Sequence, residues 1–541
     1  MLYSPPERLF KRILWIIITF LIFSSSTYSN LVIHKNSTNH LSNYEFLNNT
    51  NDTSERFEGY NLYVLESKDL SNFEVLNRTL LITDLDGEVY FSRDVGTTDT
   101  LDTRPVEFIN STTILYGTEL KTYLWNLESN TTVELNFWSH HDTEYNYVDD
   151  TYFTLKTYNT VYNDRTYKFE YINEYTAEGD LVWFLDTRSF INYSQWCPFG
   201  DASPPFDQYG GVRNVVHANT VFYDEVEDII YLNCRNVNTF YKINHENKEV
   251  LWGLGEHGNF TMFDIYGNEK EHLFFHAHSL EKIDDNKFIL FDNDFHNQTD
   301  PLNQLSRMLE ITIDEGKMYA NITREWIAPS NYFSISYGDC DLLPNDNLLG
   351  VFGTYTHPDS NYGAIITEVD INGEIKWEST YPNSGEESFE IFQIERFRFA
   401  PIVSAPILVD EGDGTGYLEW DVWYNFRSKT KFVGHYYITI NNQTLEDGEI
   451  EFPYFWQATQ VRYYMDELPE GEHDISLVVS DEGGHLSNES EISNYPGSIN
   501  LNRRGLILGL SIGGGSLIIF TIVIYPKYFR KKSSFRKKKS N

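Results

Sequence analysis

Three histidines open three copies of one repeated phrase in this chain of 541 residues. The phrase begins with His141, His217 or His278 and runs through an acidic turn into an apolar strand, whereas a fourth copy opens at Gly338 without a histidine. Equivalent positions of repeats that surround a channel converge, so the three imidazoles are expected to meet at one end of it. Near neutral pH, imidazole acts as a nucleophile, a proton carrier or a metal ligand.

Two further polar residues are predicted to lie beside His217. Asn219 follows it by two positions, which places both on one face of an extended strand. Arg235 ends the neighbouring apolar strand, so a hairpin return brings it back to the same rim or channel. Imidazoles, one amide and one guanidinium suit a tetrahedral oxyanion, because arginine offers a planar fork of donors to two oxygens. The alternative is an arginine that pairs with a carboxylate on the rim.

Two more histidines adjoin the set. His140 directly precedes His141, and His276 stands two residues before His278. Because alternate residues of a strand share a face, spacing alone does not separate His276 from His278.

A second recurring phrase consists of a strand, a turn of Asp, Glu or Asn that usually contains Gly, and another strand that often ends in Trp. Its copies span residues 82–90, 175–183, 243–252 and 369–377, with a looser one around 314–316. The turn residues predict β-hairpins. The two phrases interleave and supply four strands per period, which is typical of a propeller blade, and residues 59–400 hold close to six periods. The short, interlocked periods disfavour the alternative, a tandem string of small sandwich domains.

The chain ends predict segments outside the propeller. Basic residues precede a short apolar run at 13–23, the pattern of a secretory signal or an N-terminal anchor. An uncharged run at 505–525 is long enough to span a bilayer, and a basic tail follows it. The predicted order is a signal peptide or anchor (1–30), a flexible lead-in (31–58), a β-propeller (59–400), an Ig-like β-sandwich acting as a spacer (401–498), a transmembrane helix (505–525) and a cytoplasmic tail (526–541).

Composition narrows the class of function. The formal charge of −39 and the concentration of basic residues at the two ends argue against nucleic-acid binding. Abundant Tyr (38) and Phe (37) favour an all-β chain. Three cysteines allow one disulfide at most, and their pairing is not readable from the sequence. Glycosylation sequons are frequent and favour an exterior location: Asn36, Asn48, Asn51, Asn77, Asn110, Asn130, Asn192, Asn259, Asn297, Asn321, Asn442 and Asn488.

Several stretches between about residues 59 and 395 resemble the arylsulfate sulfotransferase family, the nucleotide-independent propeller enzymes of bacteria and archaea. The likeness is diffuse in the blades and specific at the histidine phrases. The stretches are His140-His141-Asp142, Asn214 through His217-Ala-Asn219, Asn233-Cys-Arg235, Trp252-Gly-Leu-Gly255, His278 through Leu290-Phe-Asp-Asn293, and Ser306-Arg307-Met-Leu-Glu310.

The resemblance implies a six-bladed propeller that moves a sulfuryl group between phenols through a sulfated histidine, without a cofactor. It assigns His278 as the nucleophile and His141 as the acid–base partner. It also implies that His217, Asn219 and Arg235 hold the sulfuryl group. His276 and His140 remain neighbouring candidates for substrate binding, and His276 competes with His278 for the role of nucleophile.

The leading hypothesis is therefore an aryl sulfotransferase anchored in the cell membrane by one C-terminal helix, with its N-terminal domains outside the cytoplasm. Its partners would be an aryl sulfate, a phenolic acceptor and the membrane. Two alternatives stay open. One is a non-enzymatic surface receptor or adhesion propeller, and the other is a propeller that binds a metal through three histidines.

Overall fold

The structure is a computed structural model that describes residues 47–48, 55–71, 74–96, 105–118, 121–197, 211–296, 304–353, 362–383, 387–410, 416–441, 443–464, 472–488 and 490–496. The predicted signal peptide or anchor, the predicted transmembrane helix and the basic tail lie outside these residues. Within the described ranges, no helix is both long enough and apolar enough to cross a membrane.

The described chain is built from strands. The first thirteen are β1 (Leu47–Asn48), β2 (Tyr60–Asp69), β3 (Val75–Thr83), β4 (Val89–Asp94), β5 (Val106–Asn110), β6 (Thr113–Thr118), β7 (Lys121–Asn126), β8 (Thr131–Trp138), β9 (Thr143–Asn146), β10 (Thr151–Tyr162), β11 (Arg165–Thr176), β12 (Leu181–Asp186) and β13 (Val212–Asn214). The next fifteen are β14 (Ala218–Asp224), β15 (Ile229–Cys234), β16 (Thr239–Asn244), β17 (Val250–Gly255), β18 (Thr261–Phe263), β19 (Glu269–Lys270), β20 (His278–Asp284), β21 (Lys287–Asp292), β22 (Arg307–Asp314), β23 (Tyr319–Ile327), β24 (Asp339–Leu342), β25 (Leu348–Phe352), β26 (Tyr362–Val369), β27 (Ile375–Pro382) and β28 (Glu387–Phe397). The last eight are β29 (Ile402–Val403), β30 (Ile407–Asp410), β31 (Gly416–Trp423), β32 (Phe432–Ile440), β33 (Gln443–Phe452), β34 (Thr459–Tyr464), β35 (Glu472–Ser480) and β36 (Ser490–Pro496). Short 3-10 turns occur at Thr187–Ser189, Arg235–Val237 and Ser330–Tyr332.

Strands β1 to β28 form a propeller-like set of sheets whose four main strands are antiparallel, and the all-β prediction is confirmed. In the described residues each sheet has four main strands in the order inner to outer: β28-β2-β3-β4 (sheet I), β5–β8 (sheet II), β9–β12 (sheet III), β14–β17 (sheet IV), β20–β23 (sheet V) and β24–β27 (sheet VI). The inner strands β9, β14, β20, β24, β28 and β5 contact one another in that sequence. Because β28 joins β2, sheet I combines both ends of this part of the chain.

The sheets stack face to face through apolar residues. One cluster joins sheets III and IV through Phe153 and Leu232, and the next joins IV and V through Phe240 and Leu290. Corresponding clusters connect each remaining pair of neighbouring sheets, including VI with I. Successive strand residues point to opposite faces, and both faces of each sheet are therefore buried against a neighbour. This burial fixes the orientation of each inner strand relative to the centre of the sheets.

The second repeated phrase forms the outer hairpin of its sheet at all five predicted places. Sheet II has the same hairpin between β7 and β8, which the sequence pattern missed. Its turn, Leu127–Asn130, lacks glycine. The left-handed conformation at this turn is adopted by Asn130 instead, with φ 51°.

Two further sheets follow. Strand β31 pairs with β29, β30 and β34, and the second sheet has the order β33-β32-β35-β36. Trp420, Ile438 and Leu477 of these sheets are fully buried and share one hydrophobic cluster with residues of sheets I and II. This C-terminal region is thus packed onto the propeller-like part through a common core.

The loop between β31 and β32 reaches the inner strands. Carboxylates from five inner strands, which we call the channel carboxylates, surround it: Glu107, Glu144, Glu281, Asp341 and Glu395. Arg427 of the loop contacts Glu281, Asp341 (2.9 Å) and Glu395 (2.7 Å). Lys429 contacts Glu107 (2.6 Å) and Glu144 (2.5 Å). The region predicted as a spacer therefore supplies two cations to the centre of the sheets.

Candidate functional site

The three repeat histidines occupy equivalent places at the inner strands. His141 and His217 stand just before β9 and β14, and His278 is the first residue of β20. His141 and His217 adopt the left-handed conformation, with φ of 58° and 50°. This conformation is uncommon for a residue with a side chain and is typically maintained by the surrounding structure at functional positions.

His217 and His141 contact each other directly. Their Nε2 atoms are 3.2 Å apart, and the Nδ1 atom of His141 lies 2.7 Å from Nδ1 of His140. The Nδ1 atom of His217 is 2.9 Å from the amide nitrogen of Asn214. The structure thus joins three histidines in one hydrogen-bonded row, with an asparagine at one end.

His278 is held by a different asparagine. Its Nδ1 atom is 2.6 Å from Oδ1 of Asn293, and the Asn293 amide group donates to the carbonyls of Ser334 and Tyr337, both at 2.8 Å. Since both amide hydrogens are committed, Oδ1 accepts the proton on Nδ1, and the lone pair of His278 is assigned to Nε2. Burial, together with the positive charge of Arg235, lowers the pKa of His278 to about 3. His278 is therefore a neutral imidazole at physiological pH.

Arg235 lies close to three of the histidines. Its backbone N–H donates to the carbonyl of His217 (3.2 Å), so the predicted return of the hairpin is present. The guanidinium is buried and donates to Asn236 and to the carbonyl of Ile335, both at 3.0 Å. Its charge lowers the pKa values of His217, His276 and His278, after the larger effect of burial. Both of these partners are neutral oxygen atoms, one of a side-chain amide and one of a main-chain carbonyl.

Asn219 lies in an irregular part of the inner strand. His217 has a positive φ, and the ladder with β15 is irregular between Ala218 and Thr220, so the segment is not regularly extended. The Asn219 amide donates to the carbonyl of Ala277 (2.9 Å), and its oxygen accepts from Asn233 (2.7 Å). Its observed bonds tie β14 to the chain that carries His278.

His276 and His278 have different surroundings. His276 has φ 56° and precedes the strand, so strand alternation does not apply to it. Its ring is fully buried beside Phe295, at a centroid distance of 5.8 Å, and its backbone N–H donates to Asn238 (2.9 Å). Among the described residues, no asparagine bonds to the ring of His276 as Asn293 bonds to that of His278.

Phe392 of β28 is an aromatic residue of the site that the sequence reasoning missed. Its ring meets His141 and His278 edge to face, with centroids 6.1 and 5.9 Å apart, and it meets Tyr337 at 5.3 Å. A cavity of about 30 Å³ lies against it, lined in part by Asn219, Ser279 and Asp339.

The described residues contain no group of three or more His, Cys, Asp or Glu side chains arranged to hold a metal ion. Cys197, Cys234 and Cys340 are buried, and no disulfide joins them in the described part of the chain.

The family model described as arylsulfotransferase (ASST) matches residues 42–393. No curated protein matches the chain significantly. Among solved structures, the periplasmic gluconolactonase of Pseudomonas aeruginosa is 10% identical and covers 74% of this chain and 99% of its own, with a TM-score of 0.34. A putative 6-phosphogluconolactonase from Bacteroides fragilis is 9% identical and covers 74% and 98%, with a TM-score of 0.34. A Bacteroides caccae protein of unknown function is 10% identical and covers 62% and 98%, with a TM-score of 0.33. Likenesses this weak carry no conclusion about activity.

Proposed function

We propose, since the chain belongs to the arylsulfotransferase family, that it moves a sulfuryl group from an aryl sulfate to a phenol through a sulfated His278. Family membership supports aryl sulfotransferase activity in general. The sulfated histidine and the residue roles are the finer part of the proposal.

The orientation of His278 carries this proposal. Asn293 holds the proton on Nδ1, which leaves the Nε2 lone pair available, and the low pKa keeps the ring neutral. A neutral imidazole next to a buried guanidinium suits attack on an anionic sulfate ester, because the arginine offsets the negative charge of the donor.

In the first half-reaction, the Nε2 lone pair of His278 attacks sulfur and the bond between sulfur and the phenolic oxygen breaks. The leaving phenolate takes one proton from His141. In the second half-reaction, the acceptor phenol returns one proton to His141, its oxygen attacks sulfur, and the nitrogen–sulfur bond breaks with the electron pair returning to Nε2. Arg235 and His217 stabilise the charge spread over the sulfuryl oxygens in both steps.

We also propose that the six sheets are the blades of one propeller, that the C-terminal sheets form an Ig-like sandwich, and that the protein is an extracytoplasmic, membrane-anchored glycoprotein. The uncharged run at 505–525 followed by basic residues supports the anchor. Seven sequon asparagines fall among residues whose side chains are described, and none is buried: Asn77, Asn110, Asn130, Asn192, Asn259, Asn321 and Asn488. Protease accessibility of intact cells and glycosidase treatment test location and glycosylation.

Mass spectrometry of the full-length protein after incubation with phenyl sulfate tests the chemistry. We expect a gain of one sulfuryl group, placed on His278 by fragmentation, and its loss on addition of a phenol. His278→Asn should abolish the adduct, whereas the control His257→Asn, in a turn outside the site, should retain it. An adduct on His276 would overturn the residue assignment, and the absence of both an adduct and phenol release would overturn the function.

A further inference from the structure

Two buried polar atoms face each other behind the histidine row. His140 Nε2 and Glu170 Oε1 are 3.5 Å apart, and neither atom has a hydrogen-bond partner within the described residues. The side chains are 2% and 1% exposed. Buried polar atoms without a hydrogen-bond partner are rare. Two such atoms that face each other indicate side chains that exchange a proton or move together to form a hydrogen bond.

Glu170 is connected to the reacting centre through short contacts. His140 Nδ1 is 2.7 Å from Nδ1 of His141, whose Nε2 atom faces His217. The other carboxyl oxygen of Glu170 accepts the backbone N–H of Ala218 at 2.7 Å. Since Ala218 directly follows His217, the carboxyl group is fixed to the segment that carries one end of the row.

We propose that Glu170 is the proton store of the transfer reaction and exchanges one proton with the phenolic oxygen through His140 and His141. The proposal rests on the proposed sulfuryl transfer. It adds a positioning and proton-holding role for Glu170 and His140 that the sequence did not indicate for either residue.

The proton balance follows the two half-reactions. Oδ1 of Asn214 is buried without a partner within the described residues, so the amide is assigned with this oxygen facing the Nδ1 proton of His217, and Nε2 of His217 is unprotonated. When the donor phenolate leaves, His141 therefore gives it the Nε2 proton and receives one on Nδ1 from His140. His140 receives one on Nε2 from the Glu170 carboxyl, which becomes a carboxylate. When the acceptor phenol attacks, each proton moves back and Glu170 is again neutral. Both imidazoles only exchange tautomers, so no extra charge is left in the row.

The environment of both groups agrees with these states. Burial raises the pKa of Glu170 to about 8, although the bond from Ala218 and the charge of Lys168 oppose the rise, so the carboxyl is mainly protonated at rest. Burial, followed by the charge of Lys168, lowers the pKa of His140 to about 3, so the imidazole passes a proton without holding a second one. Cys234 also faces Glu170, and burial followed by this carboxyl raises the pKa of its thiol.

Glu170→Gln tests the proton store, because glutamine keeps the shape and the bond from Ala218 but cannot release a proton. Phenol release in a single turnover is measured with 4-nitrophenyl sulfate, whose phenolate leaves without protonation, and with phenyl sulfate, whose phenolate needs it. We expect the variant to release 4-nitrophenol at nearly the wild-type rate and to release phenol about 10²-fold more slowly or worse, the usual size of an acid–base contribution.

Glu174→Gln is the matched control, since Glu174 is a buried carboxylate of the same strand that pairs with His245, outside the row. It should leave the ratio of the two rates unchanged. His140→Gln interrupts the path at its middle, and we expect the same loss with phenyl sulfate alone. It also provides the test if Glu170→Gln does not fold.

Each outcome decides between the two proposals. Equal slowing of both donors, or no slowing, in the folded Glu170 and His140 variants would overturn the proton store while leaving the transfer function intact. A wild-type protein that forms no adduct with either donor would instead overturn the proposed function and, with it, the proton store.

Discussion

Asn293 Oδ1 lies 2.6 Å from Nδ1 of His278, and both hydrogens of the Asn293 amide are already bound to main-chain carbonyls. The loop that contains Ser334 and Tyr337 therefore decides which nitrogen of His278 carries the lone pair. A segment far along the chain thus determines the reactive tautomer of the proposed nucleophile.

Asn293→Leu should disable the nucleophile while keeping a side chain of similar size. The tautomer of His278 is no longer fixed, and we expect the rate of sulfation to fall by roughly 10²- to 10⁴-fold, the range seen when a catalytic histidine is misoriented. The two carbonyls lose their donors, so the free energy of unfolding should also fall by about 1–3 kcal/mol. Stopped-flow phenol release and chemical denaturation measure the two effects.

Asn347→Leu is the control for the loss of stability. Asn347 is a buried amide that donates to Glu368, outside the histidine group. It should lower stability similarly and leave the sulfation rate within about twofold of wild type. A normal sulfation rate in Asn293→Leu would show that Nε2 of His278 does not depend on this asparagine.

The acid limb of the profile of kcat/KM against pH should depend on the positive charge of Arg235. His278 reacts only when it is neutral, and its pKa is about 3, so kcat/KM should stay high until the pH approaches that value. Arg235→Gln removes the second-largest cause of the low pKa while burial remains. The acid limb should then move upward, to between 3 and the ordinary histidine value of about 6.5.

The contribution of His278 to the free energy of unfolding also falls as the pH is lowered. Since the folded state of His278 binds its proton more weakly than the unfolded state, protonation below about pH 6.5 favours unfolding, so circular dichroism must show a folded protein at each pH. Arg188→Gln, an arginine on the exposed edge of sheet III, should leave the limb in place. An unchanged limb in Arg235→Gln would mean that the charge does not act on His278.

The sequence predicted which strand positions form the site better than it predicted the backbone conformation at those positions. The position of His141, His217 and His278 at the start of inner strands follows from periodicity alone, as does the return of Arg235. The direction of the Asn219 side chain was inferred from regular strand alternation, which the positive φ of His217 interrupts. A local pattern gives strand alternation but does not reveal where a left-handed residue breaks it.

Glu170 and Phe392 were missed for another reason. Each lies within an ordinary strand, β11 or β28, and belongs to no repeated phrase. They reach the histidines because neighbouring sheets pack together, and such contacts between distant parts of the chain leave no signal in residue spacing. The same holds for the C-terminal loop, whose Arg427 is separated from Glu281 by 146 residues.

Arg427→Met should destabilise the contact between the C-terminal sheets and the channel carboxylates. Methionine fills similar space but leaves Glu281, Asp341 and Glu395 without their cation, and each of these carboxylates is more than nine-tenths buried. Removing one partner of a buried ion pair costs about 3–5 kcal/mol, since the remaining charge stays desolvated. Thermal unfolding at pH 7.5 should show a Tm lower by several degrees.

Lys431→Met is the matched control in the same loop, because its contact with Glu451 is exposed on both sides and such pairs contribute at most about 1 kcal/mol. The Tm of this variant should be nearly that of wild type. Raising the pH from 7.5 to above 8 should increase the difference between Arg427→Met and wild type, because burial raises the pKa of Glu395 to about 8 and that of Asp341 well above its usual value, so a larger fraction of the unpaired carboxyls is charged there. If Arg427→Met and Lys431→Met unfold at the same temperature across this range, the loop does not stabilise the channel.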